Sequence, residues 1–333
     1  MTVSLECAAC ADERAAGAAF CESCGRALAT GSPAGAGPVC PSCGPAGAID
    51  ADGYCGTCGM LAARPRDHAE ADGGPVAAAV TDRGLRHHRN EDAMWLATRG
   101  ADVDAVVCDG VSASFDPHVA SATAAEAAGK VLAGSGADVA GRAAPADSGG
   151  DLAGRVAEAI TAAGAAVADL AATDARRAAS NPACTIVAAC VRGTEIGYGW
   201  VGDSRAYWVP EDGDARQLTE DDSWATHAIA LGVDPQSAWN DPKAHAITAW
   251  LGADAGPVRP RTDTLRPGEP GLLVLCSDGL WNYLTDPAAF ASAVRGAVRE
   301  APDVISAARA LIAFANDAGG ADNITVVLVP FHP

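Results

Sequence analysis

Three short apolar runs each carry a carboxylate at one end, and this pattern restricts the fold more than any other feature of the chain. Residues 104–110 read DAVVCDG and residues 272–279 read LLVLCSDG, so two apolar strands end on Asp-Gly. The third run reverses the order, because Asp322 and Asn323 precede the apolar stretch 324–329. A carboxylate at the end of a buried strand loses hydration and is costly unless something pairs with it. Three of them would share that cost by converging on divalent cations, which are hard ions that take oxygen ligands. Read singly, each Asp-Gly is an ordinary strand-end turn. Read together, they predict a metal centre built from Asp109, Asp278 and Asp322.

The 333 residues carry a formal net charge of −19, which argues against a nucleic-acid partner, since that would require a basic face. The first residues, MTVSLECAAC, lack the basic start and apolar core of an export signal. No apolar run reaches membrane-spanning length. The expectation is a cytoplasmic protein with neither a nucleic-acid nor a membrane partner.

Of the twelve cysteines, eight form four CxxC pairs near the N-terminus: Cys7/Cys10, Cys21/Cys24, Cys40/Cys43 and Cys55/Cys58. Each CxxC places two sulfurs on one cation through a tight turn, and two such turns complete a tetrahedron. Cys24, Cys43 and Cys58 are each followed by a glycine, which a knuckle turn tolerates. The segment resembles the double zinc ribbon family, which implies two zinc ions held by these eight cysteines. A rubredoxin-like iron site uses similar knuckles and remains an alternative. Disulfides are not expected without an export signal. So small a module has almost no core, so metal binding must drive its folding. The other four cysteines, Cys108, Cys184, Cys190 and Cys276, lie in apolar runs and read as core.

Residues 1–62 therefore read as ribbons. Residues 63–75, rich in charge, Pro and Gly, read as a linker, and 76–333 as the main domain. Strands are predicted at 76–80, 94–98, 104–108, 182–191, 195–201, 205–209, 272–276 and 324–329, with a hairpin at Arg192-Gly193. Helical patterns cover 116–132, 151–179, 287–299 and 302–316, and 218–270 reads as short helices in an irregular flap. Hairpins combined with long helix pairs predict an α+β fold of antiparallel sheets flanked by helices.

From residue 76 to 330 the chain resembles the type 2C metal-dependent protein serine/threonine phosphatases, the PPM family. The resemblance rests on TDRG…RNED at 81–92, CDG at 108–110, VGDSRAY at 201–207, LTEDDSW at 218–224, LG at 251–252, CSDGLW at 276–281 and ADNITVV at 321–327. Seven motifs in the family's order are far more specific than any one of them. The resemblance implies a sandwich of two antiparallel β-sheets with helices outside, preceded here by the two small ribbons. It also implies two Mg²⁺ or Mn²⁺ ions and hydrolysis of phosphoserine and phosphothreonine in a protein substrate. Position by position, Asp109 matches the ligand that bridges the two metals and Gly110 a carbonyl ligand. Asp278 and Asp322 match carboxylates of one ion, Glu91 a ligand of the other, and Asp92 a carboxylate that orients the attacking water. Asp92, Asp109 and Asp278 are thus the expected catalytic set.

The chain also departs from the family pattern. Val111-Ser112-Ala113-Ser114 replaces the usual glycine-rich turn, and Val111 cannot supply the histidine some members place there. Asn282 stands where the family commonly has an aspartate that holds a weak third cation together with the position of Asp203. His87, beside Arg86, stands where the family has a phosphate-gripping arginine, and histidine cannot make arginine's planar bidentate contact. Arg86 and His87 are the expected phosphate-binding residues. The ribbons, which offer no open metal position, are expected to recruit a partner. Other readings are a weakened phosphatase serving as a ribbon scaffold, a phosphatase of a small metabolite, and a phosphatase of phosphorylated stress-regulator proteins.

Overall fold

The computed structural model describes residues 40, 43, 49–50, 53–59, 62, 64–134 and 151–333. The chain divides into two compact units, Met1–Arg64 and Pro65–Pro333.

Among the described residues of the second unit, thirteen strands alternate with helices. One six-stranded antiparallel sheet joins β1 (His68–Asp72), β2 (Ala78–Asp82), β13 (Ile324–Phe331), β12 (Gly271–Cys276), β8 (Arg205–Pro210) and β9 (Arg216–Gln217) in that order. A five-stranded antiparallel sheet joins β11 (Arg261–Leu265), β7 (Glu195–Val201), β6 (Ile186–Arg192), β4 (Asp102–Cys108) and β3 (Ala93–Arg99). A short ladder pairs β5 (Ala183–Cys184) with β10 (Leu251–Gly252).

The central strands are apolar on both faces because both faces are covered. Between the sheets, Val107, Val187, Trp208, Leu275 and Val327 form one core. Outside the five-stranded sheet, Val106, Cys108 and Ile186 pack on helices α1 (Pro117–Leu132) and α2 (Leu152–Asp169). Outside the six-stranded sheet, Val274, Cys276 and Val326 pack on α7 (Pro287–Glu300) and α8 (Val304–Asp317). This four-layer sandwich is the predicted fold class. Cys108, Cys184, Cys190 and Cys276 are all buried in these cores, as expected.

Several expectations need correction. The linker expected at 63–75 instead contains a 3₁₀ turn, Pro65–Asp67, and strand β1, which pairs with β2 from His68↔Asp82 to Asp72↔Ala78. It reads as polar because β1 is an edge strand with alternate side chains in solvent. The single helical pattern at 151–179 breaks after α2, and a separate helix α3 (Ala175–Ala179) begins at Asp174, whose side chain accepts from the Arg176 N–H. The flap holds α4 (Trp224–Ala230) and α5 (Pro235–Trp239), but its end forms the unforeseen edge strand β11.

Register brings the site together. Ala93 pairs with Cys108, so the start of β3 lies beside the end of β4. Cys276 pairs with both Val326 and Arg205, which places the end of β12 between the starts of β13 and β8. Glu91, Asp109, Asp203, Asp278 and Asp322 flank these strand ends in the sequence, and so gather at one edge of both sheets.

Candidate metal centre

Antiparallel strands of unlike sheets deliver the carboxylates, and their environment in the protein alone is strongly unfavourable for charge. Burial raises the Asp109 carboxyl well above the ordinary carboxylate range, and the neighbouring Asp92, Asp278, Asp203 and Asp322 charges raise it further. Burial and Asp322 push Asp278 up to about 7, although it shares a hydrogen bond with Asp109. Burial, then Asp278 and Asp221, push Asp203 up to about 8. One oxygen each of Asp92 and Asp278, Oδ1 in both, is buried without a hydrogen-bond partner. Orphaned carboxylate oxygens crowded by other carboxylates are what a cation-binding centre offers before its cations arrive.

Asp92 is fully buried, and burial pushes its carboxyl up to about 7 despite hydrogen bonds that favour the charged form. Its Oδ2 accepts from Ser277 Oγ at 2.8 Å and Thr325 Oγ1 at 2.7 Å. Thr81 Oγ1 lies 2.7 Å from Thr325 Oγ1 and accepts from Asn90 Nδ2 at 2.8 Å. This relay saturates one carboxylate oxygen and leaves Oδ1 for another ligand.

Glu91 lies in the segment before β3. Its N–H donates to Asn323 Oδ1 at 2.7 Å, and its Oε2 accepts from Ser112 Oγ at 2.6 Å. The Val111–Ser114 turn that departs from the family pattern thus places a hydroxyl on Glu91. Gly110 is enclosed by the carbonyls of Glu91 and Pro117, 2.7 and 2.8 Å from where a Cβ would stand, so no side chain fits there.

The remaining predicted residues fall around this core. His87 Nε2 lies 3.2 Å from Asp322 Oδ1, so the ring faces the acidic cluster. Arg86 is exposed beside it. Asn282 Nδ2 donates to Asp278 Oδ2 at 3.1 Å, a bond that an aspartate in its place could not donate when ionised. The Asp203 carbonyl accepts from Trp281 Nε1 at 3.0 Å. Arg205 stacks 3.4 Å over the Trp281 ring and forks onto Asp221 at 2.8 and 2.6 Å. Sequence reasoning missed Ser277, Thr325, Asn323, Ser112 and Ser121. For Ser277, Asn323 and Thr325 the one signal was a polar residue inside or beside an otherwise apolar strand end, as in CSDG and DNIT, whereas Ser112 lies in the turn after β4 and Ser121 within α1.

In the first unit, the sulfurs of Cys40, Cys43, Cys55 and Cys58 all lie within 4.8 Å of one another. Cys40 Sγ is 3.6 Å from Cys58 Sγ, and Cys43 Sγ is 3.5 Å from Cys55 Sγ. Four thiolates about 2.3 Å from a tetrahedral zinc ion stand about 3.8 Å apart. Hydrogen bonding from the Cys58 backbone, with a further contribution from Thr57, lowers Cys55 to about 6, which suits a thiolate ligand. Cys7, Cys10, Cys21 and Cys24 lie outside the described residues.

The sequence pattern of the family Protein phosphatase 2C matches residues 85–314. The chain belongs to this family. Among protein phosphatase 2C relatives, the serine/threonine protein phosphatase PstP of Mycobacterium tuberculosis is 30% identical over 254 residues, covering 75% of this chain and 44% of that protein. The serine/threonine phosphatase stp of Listeria welshimeri is 33% identical over 153 residues, covering 44% of this chain and 55% of that protein. The chain thus spans about half the length of the curated relatives it matches. The crystal structure of Mycobacterium tuberculosis PstP/Ppp superposes with a TM-score of 0.59 at 28% identity, covering 77% of this chain and 98% of that one. The PstP catalytic domain in complex with two manganese ions superposes with a TM-score of 0.55 at 26% identity, covering 76% of this chain and 96% of that one.

Proposed function

We propose that this chain is a metal-dependent phosphatase that hydrolyses phosphoserine and phosphothreonine in a protein substrate. The observation that carries this reading is the group of buried, mutually repelling carboxylates with orphaned oxygens at the shared edge of two sheets, in a protein phosphatase 2C chain. Asp109, the Gly110 carbonyl, Glu91, Asp278 and Asp322 would hold two Mn²⁺ or Mg²⁺ ions, as two manganese ions accompany the PstP catalytic domain. Bound there, the ions supply the positive charge that acidifies water and neutralises a phosphoryl group during in-line displacement.

The chain's own residues do the positioning. Asp92, its Oδ2 saturated by Ser277 and Thr325, has Oδ1 left to accept a hydrogen bond from the attacking water and orient it. Arg86 and His87, at the mouth of the centre, grip the substrate phosphate. Asn282 donates its amide to Asp278 and offers no anionic oxygen, so any third ion near Asp203 would bind weakly.

The CxxC pairs form two zinc sites, Cys40, Cys43, Cys55 and Cys58 being one and Cys7, Cys10, Cys21 and Cys24 the other. Saturated sites of this kind do no chemistry, and the ribbons recruit a partner, a basic one if charge guides the contact. Among the described residues no helix is long and apolar enough to cross a membrane, and we place the protein in the cytoplasm.

The test is hydrolysis of phosphoserine and phosphothreonine peptides beside a panel of sugar phosphates. Peptide turnover should require added Mn²⁺ or Mg²⁺, and Asp109→Ala or Asp278→Ala should reduce it by orders of magnitude, since loss of a metal ligand removes several kcal/mol of transition-state stabilisation. Undiminished turnover in EDTA would overturn the assignment, and preference for the sugar phosphates would overturn the substrate class.

A further inference from the structure

The segment Asn90–Glu91–Asp92 presents two of the candidate centre's carboxylates, yet lies between β2 and β3, so its backbone has no ladder to hold it. Side chains hold it instead. The Asn90, Glu91 and Asp92 N–H groups donate respectively to Asp67 Oδ1 at 3.4 Å, Asn323 Oδ1 at 2.7 Å and Asn90 Oδ1 at 3.1 Å. The carbonyls are held from the opposite side. Arg66 Nε donates to the Asn90 carbonyl and Arg66 Nη2 to the Asp92 carbonyl, both at 3.2 Å. The Glu91 carbonyl between them accepts from Ser121 Oγ at 2.5 Å, and Arg66 Nη2 also donates to that hydroxyl at 3.3 Å. A single guanidinium therefore reaches, directly or through one hydroxyl, three consecutive carbonyls behind Glu91 and Asp92.

The arrangement depends on the shape of arginine as well as its charge. Holding two carbonyls two residues apart requires donors on different nitrogens in a fixed plane, which an ammonium cannot reproduce. Arg66 is partly buried, and desolvation lowers its pKa, while the nearby Asp92 and Asp67 charges favour its cationic form. The hydrogen bonds from Arg66 go to backbone carbonyls and the Ser121 hydroxyl.

We propose that Arg66 is a positioning residue that fixes the Asn90–Asp92 backbone and thereby sets the affinity of the centre for divalent cations. The inference rests on the metal-dependent reading above. It also gives the N-terminal module a covalent route to the site, because the second unit begins at Pro65, one residue before Arg66.

The experiment is Mn²⁺ binding to the full chain, with free Mn²⁺ followed by electron paramagnetic resonance. Wild type, Arg66→Ala, Arg66→Lys and Arg309→Ala are compared, with folding checked by circular dichroism. Arg309 forks onto Glu70 of β1 at 2.9 and 2.6 Å, so its removal loosens β1 without touching residues 90–92. Arg66→Ala should weaken Mn²⁺ binding about 10–100-fold, the scale of losing a group that orients metal ligands. Arg66→Lys should fall between it and wild type, and Arg309→Ala should match wild type. A surface cavity of about 460 Å³ lined by Arg66, Thr81, Asp92 and Trp95 gives small cations access to the vacated position. Non-denaturing guanidinium chloride, but not matched sodium chloride, should therefore restore binding by Arg66→Ala. Wild-type Mn²⁺ affinity in folded Arg66→Ala would overturn the proposal, as would equal loss in Arg309→Ala or failure of guanidinium to rescue. If Arg66→Ala does not fold, Arg66→Lys decides alone, and an affinity equal to wild type would overturn the proposal. Absence of Mn²⁺ binding by the wild type would overturn this inference together with the metal-dependent reading.

Discussion

Replacing Asp278 with asparagine should stabilise the metal-free protein, although it should destroy activity. The Asp278 carboxyl is raised from its ordinary 3.8 to about 7, chiefly by burial and the Asp322 charge. A group whose folded-state pKa lies above its unfolded value binds more protons in the native state, so stability falls as pH rises between the two values. The loss begins near pH 4, is complete just above pH 7, and stays constant beyond. At about 1.4 kcal/mol per unit, ionising Asp278 in the metal-free fold costs about 4 kcal/mol. That is an upper figure, because Asp278 is only partly buried and solvent screens part of the charge. An asparagine keeps the bond from Asn282, with no charge to bury. For a domain of this size each kcal/mol moves the melting temperature by about 2–4 °C. Asp278→Asn should therefore melt up to roughly 10 °C above wild type in EDTA at pH 8, with the gap closing towards pH 5. Added Mn²⁺ should reverse the order, because an ion that binds the native centre stabilises wild type by mass action. Differential scanning fluorimetry across pH, with EDTA or Mn²⁺, makes the comparison. If Asp278→Asn melts at or below wild type in EDTA at pH 8, the charge-burial reasoning fails.

Other perturbations probe the rest of the site. Asn282→Asp removes a donor from Asp278 and adds a carboxylate beside Asp203, so isothermal titration should reveal a further weak Mn²⁺ site, and identical titrations would count against it. Arg86→Ala should raise KM for a phosphopeptide about tenfold, the worth of a hydrogen bond to a charged group, while leaving Mn²⁺ affinity intact; an unchanged KM removes Arg86 from the phosphate site. Cys43→Ser with Cys58→Ser should lower the zinc content by one ion per chain in elemental analysis without slowing hydrolysis of a small aryl phosphate. Asp221→Ala leaves the buried Arg205 guanidinium unpaired above Trp281 and should cost about 3–5 kcal/mol in urea unfolding; a loss below 1 kcal/mol on the same scale would mean that water already serves that charge.

The sequence by itself determined the parts of this protein that are local. A buried strand writes itself as an apolar run, and a carboxylate after it is visible because nothing in the run can pair with it. Asp109, Asp278 and Asp322 were therefore legible, as were the hairpin at Gly193 and the paired cysteines whose spacing sets a knuckle turn. The α+β class followed from the same periodicities. What the chain could not display was anything fixed by contacts between distant segments. The polar stretch around β1 imitates a linker because an edge strand leaves alternate side chains in water, so only its pairing with β2 reveals it as sheet. Arg66 and Ser121 carry no motif, and Asn323, although inside ADNITVV, does not announce its partner. They matter because packing brings them 24, 30 and 232 residues along the chain to the backbone of residues 90 and 91. The raised carboxyl values at Asp92, Asp203 and Asp278 likewise exist only after folding, since isolated residues remain hydrated and ionise normally. Local chemistry chose the residue types of the candidate centre, and the antiparallel register of two sheets decided that they would meet.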